Sequence, residues 1–159
     1  MSARDAALLA LGEAIQFESD GRDFYLRAAQ AAQNPLARAV FEALAEDEAE
    51  HVRRVREIFE ELKDKQGWPD VTAMVARASG VVDAFQQTSA EALRAAGADA
   101  TAADALVQAE EMERKGLGFY RDRVARATCT AEAEFFRRLV AEEEAHLAAI
   151  GRVRLAAAG

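Results

Sequence analysis

The chain repeats itself. Glu18, Gly21, Phe24 and Tyr25 recur as Glu113, Gly116, Phe119 and Tyr120, and Phe41, Leu44, Glu48 and His51 recur as Phe136, Leu139, Glu143 and His146, every pair 95 residues apart. A constant offset without a gap means that two units of like length and pattern share one fold. Composition makes those units helical. Ala, Leu, Glu and Arg dominate, the 159 residues hold nine glycines and two prolines, and strand-like alternation is nowhere sustained. This length suits a single domain with one substantial core.

The spacing predicts a first helix over about Ala6 to Ala32. Asn34-Pro35 then reads as an N-cap followed by proline at the first helical position, opening a second helix that runs to about Lys65. Gln66 to Pro69 stops it. Thr88 to Glu91 resembles a capping box, which predicts a short helix over Ser89 to Ala96, with a break at Gly97 to Thr101. A third long helix is expected over Ala102 to Arg126 and a fourth over Ala131 to Leu155, joined by Thr128-Cys129-Thr130, with a fraying tail. Short turns make each pair antiparallel, so hairpin 1 spans about 6–65, hairpin 2 about 101–155, and a crossover of about 66–100 joins them. Two like hairpins can pack with approximate two-fold symmetry, which brings equivalent residues face to face.

Charged residues interrupt the apolar stripes at equivalent places. In the second helix Ala37, Phe41, Leu44, Val55, Ile58 and Leu62 form a seam of alternating three- and four-residue steps, and the missing members are Glu48 and His51. The fourth helix repeats this with Phe136, Leu139, Ile150 and Val153, the missing members being Glu143 and His146. Glu18 shares a stripe with Leu11 and Tyr25, and Glu113 with Leu106, Leu117 and Tyr120. Burying one ionised carboxylate costs several kcal/mol, and four that converge also repel one another. Cations between them remove both costs. Four glutamates balance two divalent ions, while two neutral imidazoles add donors without charge. Glu-x-x-His places both side chains on one helix face, and hard oxygen donors with a few nitrogens suit iron or manganese. A single Glu-x-x-His on a glutamate-rich helix more often marks a solvated face. Here it occurs twice, on apolar stripes, and uses both histidines of the chain.

Three weaker signals accompany this set. Tyr25 and Tyr120 lie two turns beyond Glu18 and Glu113, where a hydroxyl can hold a carboxylate of the opposite hairpin or simply fill core. Gly21 and Gly116 stand inside long helices, leaving either room for an oxidant or a close helix crossing. Glu110, whose equivalent is Ile15, is an extra ligand, a metal-guiding residue or a partly exposed helix glutamate.

The bulk numbers narrow the functions. The net charge of −8 argues against nucleic acid and anionic membrane surfaces. One cysteine, Cys129, builds neither a disulfide framework nor a zinc–cysteine site and fits a reducing cytosol. No signal-peptide pattern and no membrane-length apolar run is present, so a soluble cytoplasmic protein is the expectation.

These residues together resemble the rubrerythrin branch of the ferritin-like superfamily, across both hairpins. The fold this resemblance implies is all-α: a ferritin-like antiparallel four-helix bundle made of two hairpins joined by a long crossover containing a short helix. It implies that Glu18, Glu48, His51, Glu113, Glu143 and His146 are six di-iron ligands, with Glu48 and Glu143 bridging. Two departures are present. Rubrerythrins proper carry a four-cysteine rubredoxin-like module, and they carry a seventh glutamate one turn after the third-helix ligand, where this chain has Gly116. A register shifted by one turn would make Glu110 and Glu113 that pair, which the residues alone leave open. The chain looks most like the short, stand-alone members.

An oxidoreductase is the first expectation: a centre of two iron ions (or manganese, or a mixed pair) reducing hydrogen peroxide or dioxygen, with no catalytic residue beyond the ligands. Electrons would come from a separate donor protein, and family analogy suggests a homodimer. Iron storage or delivery of the ferritin type is the alternative, and a helical scaffold with vestigial ligands a distant third.

Overall fold

A computed structural model describes residues 1–72 and 90–158. Among these residues the secondary structure is five helices: α1 (Ala3–Ala31), α2 (Pro35–Asp64), α3 (Ala90–Gly97), α4 (Ala100–Arg126) and α5 (Thr130–Ala158). α1 packs along α2, and α4 along α5. α1 meets α4 where the two hairpins join, and α3 packs against α5. This is the all-α bundle of paired helices that the repeat and the stripes predict, in keeping with the ferritin-like fold that the resemblance implies. No helix among the described residues is long and apolar enough to cross a membrane.

The helix ends have local causes. Ser2 caps α1 in a capping box with Asp5, its Oγ accepting from the Asp5 amide at 3.1 Å. That box starts the helix earlier than the apolar pattern suggests. Asn34 caps α2, its Oδ1 accepting from the amides of Leu36 and Ala37 at 2.9 and 3.1 Å, with Pro35 at the first turn. Asp99 caps α4 with one carboxylate oxygen, and its other oxygen accepts from the amides of Gln33 and Asn34 at 2.7 and 2.8 Å. One side chain thus starts α4 two residues earlier than expected and ties that start to the turn of the first hairpin. The capping box expected at Thr88 begins outside the described residues. α5 continues through the C-terminal alanines to Ala158, in keeping with alanine's helix propensity, and Ala156 packs on the core.

The apolar interior is divided in two. One cluster gathers Tyr25, Phe41, Leu44, Leu106, Ile150 and Val153. The other gathers Leu11, Val55, Ile58, Tyr120, Phe136 and Leu139, with Trp68 and Val71 of the crossover folded onto it. The stripes break between these clusters, where the interior is occupied by charged and polar side chains.

Candidate metal centre

Each long helix delivers one part of that charged layer. Glu18 comes from α1, Glu48 and His51 from α2, Glu113 from α4, Glu143 and His146 from α5, and none is more than 2% exposed. They form two sets. Glu18, Glu48, His51 and Glu143 each offer an atom such that all lie within 4.8 Å of one another, as do Glu48, Glu113, Glu143 and His146. Glu48 and Glu143 belong to both. The two imidazoles face each other across the bundle, centroids 5.5 Å apart and planes 13° from parallel. The reason is the offset of the repeat: an i,i+3 pair on each of two facing helices converges on the pseudo-two-fold axis.

The histidines present Nδ1 inward. His51 Nδ1 lies 3.0 Å from Glu18 Oε2 and 3.3 Å from Glu48 Oε2, and His146 Nδ1 lies 3.3 Å from Glu113 Oε1 and 3.5 Å from Glu48 Oε1. The outward nitrogens meet acids that sequence reasoning missed. His146 Nε2 is 3.2 Å from Asp47 Oδ2, and His51 Nε2 is 2.6 Å from Glu142 Oε2, each contact crossing to the other hairpin. Asp47 and Glu142 are themselves 95 residues apart, so the signal was present in the acid that precedes each Glu-x-x-His. An acid behind an imidazole fixes the ring and directs its other nitrogen inward. The symmetry is broken around Glu142. It accepts from Arg54 at 2.9 Å and Arg138 at 3.0 Å, whereas the equivalent positions of these arginines hold Ala149 and Ala43.

Both tyrosines reach across the hairpin interface. Tyr25 donates to Glu113 Oε1 and Tyr120 to Glu18 Oε1. Glu110 is placed differently: its carboxylate pairs with Arg154 of α5, and Glu113 occupies the cluster. Gly116 stands one turn after Glu113, and the ring of Phe17 lies over it.

The electrostatics describe a cluster that protons hold together when cations do not. Burial, with Glu18 and Glu113 nearby, pushes Glu48 well above the usual carboxylate range. Burial with Glu113 and Glu18 does the same to Glu143. Burial pushes Glu113 up as well, but His146 and Tyr25 outweigh it and hold it at about 2. Glu18 is lowered in the same way, against burial, by His51 and Tyr120. Burial disfavours charge on both imidazoles, yet the facing carboxylates raise His51 and His146 well above 6.5. Both oxygens of Glu143, one each of Glu48 and Glu113, and His146 Nδ1 are buried without a hydrogen-bond partner. Such orphaned polar atoms are costly, and all of them converge on the same layer. Cations there would satisfy them together, so the residues fit a dinuclear metal site.

A bundle of two antiparallel hairpins, whose interface buries two carboxylate–imidazole sets sharing two glutamates, is the arrangement of a ferritin-like domain suited to hold two metal ions. The rubrerythrin family model matches residues 10–152, and the chain belongs to that family. No curated protein and no solved structure matches the chain.

Proposed function

We propose that this chain is a non-haem di-iron oxidoreductase that reduces hydrogen peroxide or dioxygen, a peroxidase or ferroxidase of the rubrerythrin type. The observation that supports this most is the sharing of Glu48 and Glu143 between the two four-residue sets. Glu18 and His51 would complete one ion's ligands, and Glu113 and His146 the other's. Four carboxylates with two imidazoles suit iron or manganese better than the thiolate-rich sites of structural zinc or copper. Iron held by these residues would supply the two electrons that, with two protons, convert one molecule of hydrogen peroxide to two of water.

The chain's own groups set the conditions. The four glutamates balance the charge. Tyr25 and Tyr120 hold the terminal carboxylates, Asp47 and Glu142 hold the imidazoles, and the apolar clusters on either side keep bulk water out. A separate donor protein would supply the electrons that return the ions to the ferrous state. We place the protein in the cytoplasm as a homodimer.

Anaerobic ferrous titration, then rapid mixing with peroxide or dioxygen, tests the reading by absorbance. Two ions per chain and fast oxidation by one oxidant are expected. No metal bound, or reaction with neither oxidant, overturns it. Iron held far beyond two per chain in a shell-sized particle on size exclusion would instead mean storage, and metal analysis distinguishes manganese from iron.

A further inference from the structure

The repeat makes positions 17 and 112 equivalent, as it does 21 and 116, but the residues at the first pair differ. Phe17 of α1 lies over Gly116 of α4, and Met112 of α4 lies over Gly21 of α1. Both covering side chains are half-buried, both glycines are buried, and each glycine lies close to one of the shared glutamates.

The two sides are not packed alike. A methyl group on Gly116 would stand 2.5 Å from Phe17 Cε1, 2.8 Å from Phe17 Cζ and 3.0 Å from Glu143 Oε2. That volume is taken. A methyl group on Gly21 would stand 3.6 Å from Glu48 Cδ, 3.7 Å from Glu48 Oε1 and 3.7 Å from Met112 Cε. Those are ordinary contact distances, so one more atom fits there, directly against the Glu48 carboxylate.

The covers also differ in how freely they move. Phe17 is a stiff ring standing edge-on to Tyr120, centroids 6.5 Å apart at 90°, and Tyr120 is itself held by Glu18. Displacing the ring therefore disturbs a side chain bonded to the centre. Met112 is unbranched with three rotatable bonds, and it packs at the margin of one apolar cluster. Its thioether can turn about those bonds, a freedom that a ring lacks.

We propose that the small oxidant reaches the centre on the Met112 side, between Met112 and Gly21 to the Glu48 carboxylate, while Phe17 on Gly116 seals the equivalent way in. Met112 is thus a gating residue. The inference rests on the reading of the cluster as a dinuclear metal centre.

Two measurements test it. In the metal-loaded, oxidised protein, azide association followed by stopped-flow absorbance is expected to slow about tenfold in Met112→Phe, which copies the sealed side, and to quicken in Met112→Ala. An unchanged rate in Met112→Phe, with two metals per chain retained, overturns the gate and leaves the metal-centre reading intact. In the metal-free wild-type protein, dissolved dioxygen serves as a paramagnetic probe in proton relaxation measurements. It is expected to relax the α-protons of Gly21 more strongly than those of Gly116. Equal relaxation, or the reverse order, overturns the gate whether or not any variant folds. Stronger relaxation at Gly21 in a protein that binds no metal would overturn the metal-centre reading instead.

Discussion

The hydroxyl of Tyr120 donates a hydrogen bond to Glu18, which lies on the other hairpin. Tyr25 makes the equivalent bond to Glu113, so each hairpin holds one carboxylate of its neighbour. The bonds therefore serve assembly and ligand placement together. Replacing either tyrosine by phenylalanine keeps the ring and removes the donor. A hydrogen bond to a charged acceptor contributes about 1.5–3 kcal/mol, and loss of such an outer partner lowers metal affinity about 10–100-fold. Urea denaturation of the metal-free protein should show the first effect, and cobalt titration the second. Stability and affinity both unchanged in Tyr120→Phe would mean that the contact is idle.

The two buried glycines should respond oppositely to alanine. Gly116→Ala drives a methyl into Phe17, and overpacking of this kind costs about 1–3 kcal/mol. Gly21→Ala finds room, and replacing a mid-helix glycine gains about 0.5–1 kcal/mol. Chemical denaturation of the two metal-free variants reads the difference, and a loss in Gly21→Ala as large as that in Gly116→Ala would contradict the packing described.

The acids behind the histidines should also prove unequal. Glu142 is almost fully buried with Arg54, so Glu142→Ala leaves a buried guanidinium without this partner, a change that costs about 3–5 kcal/mol. Asp47 is more exposed, with 14% of its side chain accessible, and Asp47→Ala should cost less. Melting temperatures of the two metal-free variants give the order, and the reverse order would refute it.

Proton linkage gives the cluster a pH signature. In the metal-free protein Glu48, Glu143, His51 and His146 are all raised. Their folded values exceed the unfolded values of 4.5 and 6.5, so the native state binds more protons. Their contribution to stability is complete below those unfolded values and is lost as pH rises through the folded ones. Glu18 and Glu113 are lowered and act in the opposite sense, losing their contribution only as acid protonates them. The melting temperature of the metal-free protein should therefore fall as pH rises above the ordinary histidine value of 6.5 and through the raised folded values. Divalent cations displace the protons of the raised groups, so uptake should acidify an unbuffered solution and affinity should rise with pH. A metal affinity independent of pH would exclude displacement of these protons.

The residues that converge were legible in the sequence because repetition and helical periodicity are local. Glu48 with His51, and Glu143 with His146, share a helix face whatever surrounds them, and the 95-residue offset says that the faces correspond. Other contacts were not legible. Asp47, Glu142 and Arg54 read as ordinary charges on glutamate-rich helices, because the partners they meet lie some 90 residues away on the other hairpin. The cap of Asp99 on two chain segments was hidden for the same reason.

The amino-acid sequence by itself determined the helices, their pairing into two like hairpins, and the acidic and imidazole groups that must face inward. It could do so because helix periodicity is a property of spacing. Only the tertiary structure decided that Glu113 rather than Glu110 joins the cluster, that each histidine leans on an acid of the opposite hairpin, and that a methyl group would clash at Gly116 but meet ordinary contacts at Gly21. Those outcomes depend on the distance between helices and on which side chain of one hairpin lands on the other, quantities that no single helix encodes.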